Sequence, residues 1–140
     1  MRFMLVALIA ALSAGAHPAA AQSLGDYTDL PTIPDGPHKA RVLEYLEVVA
    51  AGDASRLEAF FREALSPSFL EAIPLQDHVD VHLSFVEQSR GFDVHGFRRY
   101  ASGPTPHREV VIVRNRFTES WQGILLEFEP DPPHRITSIE

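Results

Sequence analysis

The segment LQDHVDVHLSFVEQSRGFDVHGFRRYA, residues 75–101, decides the fold, because the spacing of its apolar residues changes from helical to extended. One stripe at helical spacing comprises Leu75, Val79, His82 and Val86. This stripe predicts a helix over residues 75–89 that carries a histidine on its apolar face and ends at Gly91. The residues that follow alternate as in a strand, and a bulge at Gly96 would let Phe92, Val94 and Phe97 share one face.

Two more helices are predicted upstream of this segment. The apolar stripe of the first comprises Val42, Tyr45, Leu46 and Val49, and that of the second comprises Leu57, Phe60, Phe61 and Ala64. Gly52 suits the end of the first helix, and Asp53 can cap the start of the second. A short helical turn then begins at Ser66–Pro67 and is closed by Pro74.

Three more strands are predicted downstream, within residues 107–117, 121–129 and 135–140. In the second of these, Ile124, Leu126 and Phe128 form a regular inward row. The connections are too short for crossover helices, so neighbouring strands should run antiparallel. We therefore predict an α+β fold in which three N-terminal helices pack on one face of a curved, mostly antiparallel, four-stranded sheet shaped like a cone.

The strand within residues 107–117 is apolar on both faces, because Val110, Val111, Ile112 and Val113 are consecutive. A sheet with helices on one side normally has a polar second face. We expect a homodimer partner or another domain to cover that face, with Val111 and Val113 at the interface. The alternative is a central strand that tolerates valine on a partly exposed face.

The N-terminal residues are typical of an export signal. Arg2 precedes an apolar run, and small residues end at Ala21, which predicts a signal peptide over 1–21 with cleavage after Ala21. The apolar run is too short to span a bilayer, although an uncleaved anchor is the alternative. Residues 22–37 contain several Pro and Gly residues and are predicted to be an extended leader, so that 38–140 form a single domain.

Composition narrows the compartment and the partners. Removing Arg2 leaves 11 basic and 19 acidic side chains, a formal charge of 11 minus 19, or -8, which excludes nucleic acid as a partner. The chain has no cysteine, so it has no disulfide, no thiolate metal site and no cysteine nucleophile. Its basic residues are almost all arginine, which is typical of a GC-rich bacterial genome. We expect a periplasmic or secreted protein with no stable membrane span after signal cleavage.

Helices followed by an antiparallel sheet, with Ala51-Gly52-Asp53 between the first two helices, resemble the nuclear-transport-factor-2-like superfamily, which includes ketosteroid isomerase-like and polyketide cyclase-like proteins. The closing stretch LLEFEPDPPHRI, residues 125–136, is similar to the hairpin of an accessory domain. That domain precedes the catalytic domain of bacterial secreted serine hydrolases of the beta-lactamase-related class and of tail-specific peptidases. The resemblance covers residues 38–140 and implies a cone-shaped cavity between helices and sheet.

The same resemblance implies that a hydrolase domain follows in relatives, whereas this chain stops after the last strand. Neither a Ser-x-x-Lys nor a Gly-x-Ser-x-Gly motif occurs. A stand-alone protein, a truncated chain and a split gene all fit these residues. One alternative function is therefore that of a regulatory fragment for a separate or truncated serine hydrolase.

Four residues are predicted to bind a ligand in the cone: Tyr45, His82, Phe85 and Trp121. Each could instead be a core residue with its polar atom satisfied. Enzymes of the superfamily need a carboxylate in an apolar pocket, but the acidic residues here are predicted to point away from the cone. His78 and His82 are one helical turn apart, yet the sequence offers no third metal ligand with a clear spacing. We predict no catalytic residue, no metal site and no cofactor.

The main expectation is an exported, non-catalytic accessory module that dimerises or docks through its sheet face and holds a small apolar ligand in its cone. Its partner would be a second copy or a periplasmic hydrolase. The first alternative is a small cavity enzyme of isomerase, dehydratase or cyclase type that uses His82 and Tyr45. An empty cavity with His82 beside a buried acid would favour the enzyme, and a filled core would exclude it.

Overall fold

The computed structural model describes residues 26–101 and 106–140. The expected signal peptide, residues 1–21, lies outside this part of the chain. The helices are α1 (Lys39–Ala51), α2 (Ala54–Ala64), α3 (Pro67–Ala72) and α4 (Leu75–Ser89). The strands are β1 (Tyr27–Leu30), β2 (Phe92–Tyr100), β3 (Arg108–Asn115), β4 (Trp121–Phe128) and β5 (Ile136–Ile139). The predicted α+β class is confirmed.

The helix ends follow local hydrogen-bonding rules. Gly52 ends α1 in the left-handed conformation, with φ of 61°, and its N–H donates to the Val49 carbonyl. The Asp53 carboxylate accepts a hydrogen bond of 2.8 Å from the backbone N–H of Arg56, which caps α2. The Ser66 hydroxyl accepts one of 3.2 Å from the N–H of Phe69 at the start of α3. Short capped helices therefore follow one another with almost no linker.

The five strands form one antiparallel sheet in chain order, β1-β2-β3-β4-β5. A register shift between Val94 and Gly96 in β2 confirms the predicted bulge. The predicted numbers of helices and strands need correction, because the described residues contain four helices and five strands. The short turn predicted after Ser66 is the additional helix, α3.

The additional strand, β1, lies within residues 22–37, which were expected to form an extended leader. It pairs along the edge of β2, and the Asp29 carboxylate accepts two hydrogen bonds of 2.8 Å from the Arg98 guanidinium. A side chain at Gly96 would not fit, since its Cβ would lie 2.7 Å from the Leu30 carbonyl oxygen. The bulge glycine therefore allows β1 to join the sheet.

The two faces of the sheet differ, and this corrects the predicted interface. Val111 and Val113 are 0% exposed and belong to the core that the inner face shares with the helices. They cannot form an interface, because the parity of β3 turns them inward. The apolar residues of β3 on the outer face are Val110 and Ile112. In β4, Leu125 lies opposite Val110 on the same outer face.

Candidate functional site

A cavity of about 350 Å³ lies between the helices and the β4–β5 side of the sheet. Helix α3 is held beside β5 by a hydrogen bond of 2.8 Å from the Ser66 N–H to the Ile136 carbonyl. The wall is mainly apolar and aromatic, and its side chains include Phe69, Ile73, Val81, Phe85, Ile124 and Ile139. A concave apolar wall with a few polar groups is the usual form of a small-molecule site.

Tyr45 and His82 form a hydrogen-bonded pair in the wall of this cavity. The His82 Nδ1 atom lies 2.7 Å from the His78 carbonyl oxygen, which can only accept, so Nδ1 carries the proton and donates. The other ring nitrogen, Nε2, is then an acceptor in the neutral ring. The Tyr45 hydroxyl lies 3.0 Å from Nε2 and donates to it. The backbone of α4 therefore sets the direction of the whole chain of hydrogen bonds.

Both members of the pair are neutral near pH 7. Tyr45 is 2% exposed, and burial raises the pKa of its phenol. His82 is 7% exposed, and burial lowers the pKa of its imidazole more than the His78 carbonyl raises it. The pair thus offers an oriented polar group within an apolar wall and carries no charge.

His78 adds a buried nitrogen without a partner. The residue is 5% exposed and lines the cavity, and its ring packs against those of Phe61 and Phe69 at centroid distances of 5.8 and 4.6 Å. Its Nε2 atom is buried and has no hydrogen-bond partner in the structure. Burial also lowers its pKa. Because an unpaired buried polar atom costs free energy, a ligand or a water that reached this nitrogen would stabilise the site.

Two carboxylates, those of Asp77 and Glu140, also line the cavity. The expectation that the acidic residues point away from the cone is therefore wrong for Asp77. Both residues are exposed, so they lie where the cavity meets solvent. Neither is a buried acid beside His82 of the kind that the enzyme alternative requires.

Three of the four predicted ligand-binding residues come together here, namely Tyr45, His82 and Phe85. Trp121 does not join them. It is 57% exposed and lies on the outer face, where its ring centroid is 4.8 Å from that of His95. Its parity in β4 is opposite to that of Ile124, which faces the core. The prediction that Trp121 lines the cone is therefore wrong.

Sequence analysis considered His78 only for its spacing from His82 and did not place it among the ligand-binding residues. The residue is buried because α3 lies against it through Phe69. The helical spacing of α4 gives no information about a neighbouring helix. The available signal was the apolar pair Phe69–Leu70 in a helical turn closed by Pro74, which needs a surface to pack on.

A second cluster of polar rings, His38, His107 and His134, lies at another part of the sheet. The His38 ring stacks on Phe128 at 4.4 Å, and its centroid lies 5.9 Å from that of His107 and 5.4 Å from that of His134. The Glu109 carboxylate is 3.6 Å from His38 and also pairs with Arg99 at 2.6 Å. In the described ranges, no group of three or more His, Cys, Asp or Glu residues is placed to hold a metal ion.

Fold and cavity together define this chain as an α+β protein with an apolar pocket between its helices and its sheet. No protein-family model matches the sequence, and no curated protein or solved structure compared with it matches either. Among the helices of residues 26–101 and 106–140, none is long and apolar enough to cross a membrane.

Proposed function

We propose that the chain is a non-catalytic binding module that holds a small, mainly apolar molecule in the cavity beside α4. One observation carries this proposal: an apolar cavity of about 350 Å³ is lined by His78, a residue whose buried Nε2 atom has no hydrogen-bond partner in the structure. A ligand with one hydrogen-bonding group would satisfy that atom while its apolar body displaces water from the aromatic wall.

The protonation states argue for binding rather than catalysis. Both ring nitrogens of His82 already have partners, and the Tyr45 proton is held between the two side chains. A general base needs a free lone pair within reach of the substrate and a pKa near the working pH. The rival function is a cavity enzyme of isomerase, dehydratase or cyclase type, in which a substrate would have to displace the Tyr45 hydroxyl from His82.

Membership of the nuclear-transport-factor-2-like superfamily and export to the periplasm belong to the same proposal. The order of elements supports the first, since α1, α2 and α4 share a core with an antiparallel sheet. The apolar N-terminal segment supports the second. A role as the accessory or regulatory part of a secreted serine hydrolase would then make the bound molecule a signal to that enzyme.

Calorimetry with 4-butylbenzyl alcohol tests the binding proposal, because this probe has an apolar body and one hydroxyl. We expect binding with one site per chain and an increase in Tm. His78→Leu keeps an apolar wall but removes the nitrogen, so it should weaken binding about tenfold. His95→Leu, on the exposed side of β2, is the matched control and should leave affinity unchanged. Absence of binding to the wild-type chain would contradict the proposal.

Docking through the outer sheet face is a second candidate, favoured by the outward, partly exposed positions of Val110 and Leu125. Sedimentation velocity over a range of concentrations measures it. If the face is an interface between copies, Leu125→Lys should shift the chain to monomer, whereas Leu43→Lys, at an exposed apolar position on α1, should not. A wild-type chain that remains monomeric at high concentration would exclude the homodimer.

A further inference from the structure

The charges around the cavity are all of one sign. Of its described lining residues, Asp77 and Glu140 are the only ones that carry a formal charge near pH 7, and none is lysine or arginine. Neither carboxylate forms an ion pair within residues 26–101 and 106–140. The negative charges at this site are therefore not neutralised by the protein.

The buried wall offers nothing that would offset these charges for an anionic ligand. Burial lowers the pKa of both His78 and His82, which keeps the two rings uncharged near neutral pH. A ligand carboxylate would thus meet two like charges and no cation. A ligand cation would meet two carboxylates, and the aromatic side chains of Phe69 and Phe85 also line the cavity.

We infer that the ligand carries a protonated amine in addition to the group that reaches His78, with its apolar body inside the cavity and its ammonium group at the mouth beside Asp77 and Glu140. This inference rests on the proposed binding function and narrows it. An ammonium group in the interior would be too costly to desolvate, whereas the exposed positions of the two carboxylates let it keep part of its water. Fatty acids and other apolar anions are excluded as preferred ligands.

Three probes with the same apolar body test the inference: 4-butylbenzylamine, 4-butylbenzyl alcohol and 4-butylbenzoic acid. By calorimetry at low salt we expect the amine to bind most tightly and the acid most weakly, with about a tenfold range. The preference should shrink in high salt, because exposed charges are screened. If the alcohol binds and the amine binds no better, the amine inference fails and the binding function stands. If none of the three binds, both fail.

Asp77→Asn together with Glu140→Gln should remove most of the preference of the amine over the alcohol, and it should leave the affinity for the alcohol within about twofold. Asp80→Asn is the matched control. Asp80 is exposed on the same helix and accepts a hydrogen bond of 2.8 Å from Gln76, but it does not line the cavity. An equal loss of amine preference in this control would mean that net charge, and not the cavity mouth, selects the ligand, which would overturn the inference.

Discussion

The inner and outer faces of the sheet are built from neighbouring residues of the same strands, yet they have different properties. On the inner face, Val111 and Val113 are completely buried in the core with the helices. On the outer face Ile112 is 6% exposed, but Val110 and Leu125 are only partly buried, and ion pairs such as Arg98–Asp29 and Arg114–Glu119 lie beside them. Apolar character alone therefore does not distinguish the two faces. The difference is the cover that the helices provide.

Because the helices cover only the inner face, the polar groups on the two faces differ in how well water can solvate them. On the outer face, exposed ion pairs such as Arg114–Glu119 contribute little stability, because water screens them. On the inner face Tyr45, His78 and His82 are shielded from water, and each hydrogen bond made or missing has a large effect. Recognition of a small molecule should therefore take place on the inner side.

Leu125 and Leu126 provide the sharpest test of the difference between the faces, since they are adjacent and point in opposite directions. Leu126→Ala should lower the free energy of unfolding by about 2–5 kcal/mol, because it leaves a cavity in the core. Leu125→Ala should cost about 1 kcal/mol or less. Urea denaturation of both variants measures this. Equal losses would mean that the outer face is also covered.

Tyr45→Phe should have the next largest effect. It removes the hydroxyl that donates to Nε2 of His82 and leaves that nitrogen buried without a partner. We expect a loss of about 1–3 kcal/mol in the free energy of unfolding. Tyr27→Phe, at an exposed tyrosine on β1, is the control and should change it by about 0.5 kcal/mol at most. A neutral Tyr45→Phe would show that water replaces the hydroxyl.

The fold was largely predictable because it follows from spacing. The stripe with Val79 and His82 gave the bounds of α4, and the interruption at Gly96 gave the bulge. Strand β1 was not predictable, since Tyr27–Leu30 is short and lies beside prolines, and it is stabilised by the distant Arg98. Local patterns cannot report a contact between residues that far apart.

The site was predictable only in part, for a similar reason. Tyr45 and His82 could be placed because each lies on the apolar stripe of its own helix. The predicted positions of Val111 and Val113 were wrong, because a strand with apolar residues on both faces does not reveal which parity is inward. The predicted position of Trp121 was wrong although the inward row that contains Ile124 already fixed the parity of its strand. Which face is inward depends on the packing of the helices, and that is a property of the whole chain.

The pH dependence of the free energy of unfolding should be a smaller effect, and it should distinguish buried histidines from exposed ones. Burial lowers the pKa of His38, His78 and His82 below the ordinary value of 6.5, so the unfolded chain binds more protons than the folded one as the pH falls below 6.5. Stability should be full above pH 6.5 and decrease below it. His82→Gln should reduce this slope in urea titrations at several pH values, and His95→Gln, at an exposed position, should not.

The most direct test of the central claim is a map of amide chemical shifts during titration with 4-butylbenzyl alcohol. If the covered side of the sheet recognises the molecule, the shifts should be confined to the residues around the cavity, namely Tyr45 of α1, residues within 69–85, residues 122–124 of β4, and 139–140. Amides on the outer side at Val110 and Arg98 should stay unchanged. Shifts centred on the outer face, or no shifts at saturating probe, would contradict the account.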